Sequence, residues 1–289
     1  VGQFSSLALD SIDQPHVSCY DVTNGDLRYA HFDGAVWQVN TIDSGNDVGY
    51  SGALALDSNG WPHIAYCRLY VTPHGAPCDE LRHAYYDGAT WHIETVVTWG
   101  EAGPSISLAL DSNDHPHISY CLLSLGGGWP RPSFSCGALR YAYHDGASWH
   151  IETVESAGRV GGHTSLAIDS ADRPHVSYAY NDASGGDLRY AWHDGSVWIT
   201  ETVDSADWSG GWASLDLDKQ GLPHIAYCHY FWAPDTSYCD QLKYSYFDGQ
   251  AWQTEIVDAL GRPGFYASLA LDSQGSAHIG YWDMTTGEL

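Results

Sequence analysis

The sequence predicts an all-β fold, a β-propeller of four-stranded antiparallel blades. Three observations predict it: a repeat of about fifty residues, four short segments of period two in each repeat, and turn residues between the segments. The repeat opens with SLALDS at Ser6, ALALDS at Ala53, SLALDS at Ser107, SLAIDS at Ser165, SLDLDK at Ser214 and SLALDS at Ser268. The anchor leucines, Leu7, Leu54, Leu108, Leu166, Leu215 and Leu269, are 47, 54, 58, 49 and 54 residues apart. Leucine-rich repeats are shorter, and helical repeats would carry a 3.6-residue period.

Each unit reads in the same order. The SLALD strand alternates apolar and polar residues, and a Ser/Asn/Asp/Gly turn ends it. A second strand starts at Pro-His-Val/Ile, or Ala-His-Ile in the sixth unit. After a variable insert comes a third strand of the form LRYA, then an Asp-Gly turn, then a fourth strand that opens on Trp and continues as in HIETV. The units span approximately 5–51, 52–105, 106–163, 164–212, 213–266 and a partial 267–289, in a single propeller domain. The sixth unit stops where its third strand is due. This predicts a segment of a six- or seven-bladed protein, with strand sharing from another chain as the alternative.

The DG-x-x-W turn recurs before Trp37, Trp91, Trp149, Trp198 and Trp252. It resembles a reduced Asp-box of sialidase-type propellers, which lies between the third and fourth strands of a blade, although an aromatic residue or His replaces the Asp-box serine. The chain also resembles bacterial extracellular repeat propellers and propeller lectins. That resemblance implies a fold and an extracellular setting rather than a ligand.

Charge narrows the partners. Asp and Glu number 36 against 11 Lys and Arg, a formal net of −25, which repels nucleic-acid phosphates and anionic lipid surfaces. No stretch approaches the roughly twenty apolar residues of a membrane-spanning helix. VGQFSSLALD lacks the basic and apolar regions of a signal peptide, so a signal has been removed or the chain belongs to a longer one. Cys67 and Cys78, Cys121 and Cys136, and Cys228 and Cys239 fall as local pairs at one place in their repeats. This predicts three disulfides and a secreted or cell-surface protein, the alternative being reduced or metal-binding thiols. Cys19 is left over at a position where later units carry Tyr66, Tyr120, Tyr178 and Tyr227, and is read as a free, buried thiol, with intermolecular pairing as the alternative.

The repeat also separates scaffold from site, because a residue present in every unit serves something that every blade needs. His16, His63, His117, His175, His224 and His278 are read as hydrogen-bonded scaffold. Arg28, Arg82, Arg140, Arg189 and Lys243 are read as partners of acidic side chains between blades. The turn aspartates, such as Asp10, Asp57 and Asp111, form turns; Ca²⁺ is the alternative, and no other cofactor is expected.

Function is expected on the variable end of the blades, where the second-to-third-strand inserts and the blade-to-blade connections lie. The candidate ligand-binding residues are Trp99, Glu101, Trp129, Arg131, His163, Trp208, Trp212, Trp232, Asp235, Arg262 and Tyr266. They combine flat rings for stacking with polar groups for hydroxyls. His163, Trp212 and Tyr266 each stand three residues before an anchor leucine, at a position expected to ring the mouth of the central channel. No catalytic motif occurs: GxSxG, HExxH and the P-loop are all absent. The leading expectation is a carbohydrate-binding, lectin-like propeller whose partner is a glycan or a surface protein. A structural or adhesive module of a surface assembly, and a glycoside hydrolase or polysaccharide lyase, are the alternatives.

Overall fold

A computed structural model describes residues 2–287 except 70–77, 99–101, 104, 127–132, 182–184, 207 and 234–235. The described residues form only strands and turns. The first blade holds β1 (Gln3–Leu9), β2 (Pro15–Asp21), β3 (Asp26–Phe32) and β4 (Trp37–Asp43). The second holds β5 (Val48–Leu56), β6 (Pro62–Leu69), β7 (Cys78–Tyr86) and β8 (Trp91–Val97), and the third β9 (Ile106–Leu110), β10 (Pro116–Gly126), β11 (Ser133–His144) and β12 (Trp149–Glu155). The fourth holds β13 (Arg159–Ile168), β14 (Pro174–Asn181), β15 (Gly186–His193) and β16 (Trp198–Asp204). The fifth holds β17 (Ser209–Leu217), β18 (Pro223–Ala233), β19 (Thr236–Phe247) and β20 (Trp252–Asp258). The last sheet has two strands, β21 (Phe265–Leu271) and β22 (Ala277–Trp282), so the sixth blade is incomplete. Each full sheet is ordered as an antiparallel meander, the blade pattern of a β-propeller. The chain divides into two compact units, one up to Thr153 and one from Val154 on.

Within each unit the blades pack through the predicted anchors. Leu54 is buried against Leu27 and Tyr29 of the first blade, and Leu215 against Leu188 and Tyr190 of the fourth. The basic residue of the third strand does bridge blades, by meeting the acid that ends the preceding fourth strand. Arg82 Nη1 lies 2.8 Å from Asp43, Lys243 Nζ lies 2.9 Å from Asp204, and Arg189 pairs with Glu155. The same acids accept a hydrogen bond from a fully buried tyrosine on the second strand: Tyr66 to Asp43 at 2.7 Å, Tyr178 to Glu155 at 2.6 Å and Tyr227 to Asp204 at 2.7 Å. Arg28 differs, lying 3.7 Å from Asp21 of its own blade. Cys19 occupies the tyrosine position in that first blade and is a free thiol, half-buried rather than buried, with its pKa raised by burial.

Five of the six repeated histidines are hydrogen-bonded scaffold, as expected; the sixth, His278 in the incomplete blade, is exposed. His16 Nδ1 lies 2.6 Å from the Tyr29 hydroxyl, and His117, His175 and His224 bond Tyr141, Tyr190 and Tyr244 in the same way. The second blade departs from this pattern: His63 meets His83 at 3.1 Å. The turn aspartates hold their own turns. Asp10 Oδ1 accepts the backbone N–H of Ile12 and Gln14, and Asp57 Oδ1 accepts those of Asn59 and Trp61. In the DG-x-x-W turns, Asp87 Oδ1 accepts the N–H of Ala89 and Thr90 while Oδ2 lies 2.6 Å from His92.

All three expected disulfides are formed, Cys67–Cys78, Cys121–Cys136 and Cys228–Cys239. Each staples the second strand of a blade to its third. In the third and fifth blades those two strands run well past the staple as a long hairpin, where the sequence suggested only an insert.

Candidate functional site

The first strands of five blades begin earlier than the repeat suggests, because each carries a bulge. Pairing in β1, β5, β13, β17 and β21 shifts register just before the SLALD segment. A glycine in the left-handed region opens the bulge: Gly2 at φ 93°, Gly49 at 101°, Gly161 at 95°, Gly210 at 96° and Gly264 at 99°. Glycine is required sterically as well at Gly49 and Gly210. A Cβ there would lie 2.8 Å from Leu27 Cα and 3.0 Å from Leu188 Cα, on the third strand of the preceding blade. Two residues later the left-handed conformation recurs at a residue with a side chain: Phe4 (φ 51°), Ser51 (54°), His163 (51°), Trp212 (44°) and Tyr266 (52°). Such a conformation costs roughly 1–2 kcal/mol outside glycine. Its recurrence at one position in five blades shows that the bulge is part of the design and fixes where those side chains stand.

In the second unit this places a cluster of rings. Trp212 packs between His163 (centroids 4.8 Å), Tyr230 (5.1 Å, stacked), Phe265 (4.7 Å) and Tyr266 (5.5 Å). Beneath it the Cys228–Cys239 disulfide and Phe265 form a buried group on which Tyr230, Tyr238 and Trp282 also pack. Trp212 is therefore half structural, and removing it costs packing as well as any contact with a ligand. Tyr266 is 64% exposed.

Beside this cluster opens a cleft of about 210 Å³, lined by His163, Ala179, Asn181, Trp208, Ser209, Gly211 and Tyr230. Trp208, itself at φ 65°, presents an indole that is 36% exposed. Its carbonyl accepts the Tyr230 N–H at 2.9 Å, which ties the connection before β17 to the extended part of β18. Burial holds the His163 imidazole down to about 4, so it is neutral at physiological pH, and burial likewise raises the Tyr230 phenol and keeps it protonated. The cleft thus offers an aromatic face, a neutral imidazole, a phenol and a carboxamide. Among the described residues no carboxylate lines it.

Of the sequence-predicted residues, His163, Trp208, Trp212 and Tyr266 come together here. Arg262 does not line the cleft; its guanidinium lies 4.3 Å over the ring of Tyr238, which packs on the same buried group as Trp212, and its backbone N–H is donated to Asp283. Trp99, Glu101, Trp129, Arg131 and Asp235 lie outside the described residues, as does the side chain of Trp232. The sequence did not single out Tyr230 and Asn181, which stand at one repeat position, seven residues after the second-strand proline, where the other complete blades carry Val22, Leu69 and Leu123. Among the described residues no group of three or more His, Cys, Asp or Glu is arranged to hold a metal ion, and no helix is long and apolar enough to cross a membrane.

This architecture defines the chain as a β-propeller. No family model and no curated protein matches its sequence. Solved structures do match. A protein of unknown function from Dyadobacter fermentans is similar with a TM-score of 0.65 at 10% identity, over 99% of this chain and 92% of that one. A polysaccharide lyase, an ulvan lyase, is similar with a TM-score of 0.60 at 12% identity, over 93% and 72%. The Aleuria aurantia lectin, a fungal six-bladed propeller that recognises fucose, is similar with a TM-score of 0.57 at 14% identity, over 98% and 92%. At these identities the likeness is one of fold.

Proposed function

We propose that the protein is an extracellular carbohydrate-binding propeller that takes a sugar ring in the cleft between Trp208, His163 and Tyr230. The observation that carries this reading is the pairing of an exposed indole with neutral hydrogen-bonding groups in one concave site. An indole stacks on the C–H face of a pyranose, while imidazole, phenol and carboxamide groups exchange hydrogen bonds with hydroxyls. Glycoside hydrolysis needs two carboxylates roughly 5 to 10 Å apart across the scissile bond, and the cleft presents none among the described residues. The three disulfides fit an oxidising, extracellular setting. The likeness to a fucose-recognising lectin adds support at the level of the fold.

The test is a calorimetric titration of wild type, Trp208→Ala and Tyr230→Phe with a glycan that the wild type retains. Loss of the indole is expected to weaken binding at least tenfold and loss of the phenol hydroxyl severalfold, with unfolding midpoints little changed. Unchanged affinity in both variants would remove the cleft from the reading.

A further inference from the structure

The internal repeat allows every blade interface to be compared with the others, and one of them departs from the pattern. Between the second and third blades the indole N–H of Trp149 donates to Glu94 Oε2 at 2.9 Å, and between the fourth and fifth that of Trp252 donates to Glu201 Oε1 at 2.9 Å. The same glutamate stands as Glu152 and Glu255 in the remaining blades, but the first blade has Asn40 there. Asn40 is exposed where Glu94 and Glu201 are half-buried. Neither its carboxamide nor the Trp91 indole N–H that faces this interface takes part in a hydrogen bond among the described residues.

Two further departures fall at the same place. The third strand carries a large aromatic residue at Tyr85, Tyr143, Trp192 and Tyr246, whereas the first blade has His31, whose Nδ1 is buried with no partner. The residue before the second-strand proline is Gln14, His115, Arg173 or Leu222 in other complete blades, but Trp61 in the second. The Trp61 ring packs over the Gly88 turn, where a Cβ would lie 2.4 Å from it, and meets Tyr86 edge-on at 6.4 Å. All three departures line one cavity of about 440 Å³, together with Tyr29, Tyr86 and Trp91.

Residues that recur serve the scaffold, so departures from the repeat that converge on a single cavity mark a site. We infer that the first unit carries a second binding site, for an uncharged pyranose ring, between its first and second blades. It lies at the end of the blades that bears the repeated turns, away from the variable inserts. Its volume falls in the roughly 300–1,000 Å³ range of small-molecule sites. Trp61, Tyr86 and Trp91 supply ring faces for the C–H side of a sugar. The Asn40 carboxamide, which both donates and accepts, the unpartnered His31 Nδ1 and the Trp91 N–H supply hydroxyl contacts. Among the described residues no carboxylate lines the cavity, so its lining does not call for a cationic ligand. The site does not depend on the variable-end cleft binding anything.

The experiment is ligand-observed NMR and calorimetry on the full chain with the methyl glycosides of glucose, galactose, mannose and fucose as probes. Two variants borrow a residue that the same position already holds elsewhere in the chain: Asn40→Glu, which refills the cavity and gives the Trp91 N–H an acceptor, and Trp61→Gln. At least one glycoside is expected to bind the wild type, to bind both variants at least tenfold more weakly, and to bind Trp208→Ala at this site unchanged. The inference is overturned if the wild type binds none of the four, or if Asn40→Glu and Trp61→Gln bind as the wild type does. In the latter case loss of binding in Trp208→Ala alone would leave the variable-end cleft as the sugar site.

Discussion

His83→Tyr offers a sharp test of how the blades are held together. In four of the five complete blades a tyrosine hydroxyl meets the scaffold histidine, but in the second blade His83 takes its place and lies 3.1 Å from His63. His83 is 2% exposed, and its Nδ1 has no partner. Burial, and then the neighbouring His63 and His144, hold its pKa well below 6.5. In the unfolded chain a histidine titrates near 6.5, so below that pH the unfolded state binds a proton that the folded state refuses. The contribution is therefore fully present above about pH 6.5 and is lost as the pH falls, by up to about 1.4 kcal/mol per pH unit. Between pH 6.5 and 5 this single group accounts for at most about 2 kcal/mol. Tyrosine has room there: Tyr190 meets Trp252 edge-on at 5.4 Å, the same arrangement that His83 has with Trp149 at 5.5 Å. Urea denaturation with the disulfides intact, at pH 7 and at pH 5, is expected to show the wild type losing more than His83→Tyr, by up to about 2 kcal/mol. Equal losses in the two proteins would refute the assignment of His83 as a buried, neutral histidine.

The remaining predictions concern the scaffold and its limits. Asp204→Asn removes the charge that Lys243 and the buried Tyr227 share, and is expected to cost about 3 kcal/mol in urea denaturation. Replacing Cys228 and Cys239 together by serine opens the staple under the ring cluster and is expected to cost about 3 kcal/mol by the same measurement. Non-reducing peptide mapping is expected to recover the three local disulfides and no crossed linkage between blades. Trp149→Ala, which removes an indole bonded to Glu94 across an interface, is expected to cost about 3–5 kcal/mol. Trp208→Ala is expected to stay within about 1 kcal/mol of wild type, with Trp212→Ala between the two because four rings pack on it.

What the sequence made legible was whatever recurs from blade to blade. Leu54 and Leu215 as packing anchors, His16 and His175 as hydrogen-bonded scaffold, and Arg82 and Lys243 as bridges between blades could all be read from recurrence alone. The cysteine pairs could be read for the same reason. The bulge was visible only as an unexplained glycine two residues before Ser51, His163, Trp212 and Tyr266; its left-handed backbone depends on a close approach to the preceding blade that no local pattern encodes. Tyr230 and Asn181 stand at one repeat position that holds Val22, Leu69 and Leu123 in the other complete blades, so they were visible only as polar departures at the end of the second strand. Asn40, His31 and Trp61 were visible as departures from the repeat, but they are scattered over thirty residues of sequence. Only the packing of the second blade on the first brings them to one cavity.

The proposed recognition of carbohydrate through neutral aromatic clefts can be put to a glycan array probed with the intact, oxidised chain alongside Trp208→Ala. The wild type is expected to retain a defined set of glycans and the variant to lose some or all of them while remaining folded. An array that stays blank for the wild type, or a variant that retains the same glycans at the same strength, would contradict it.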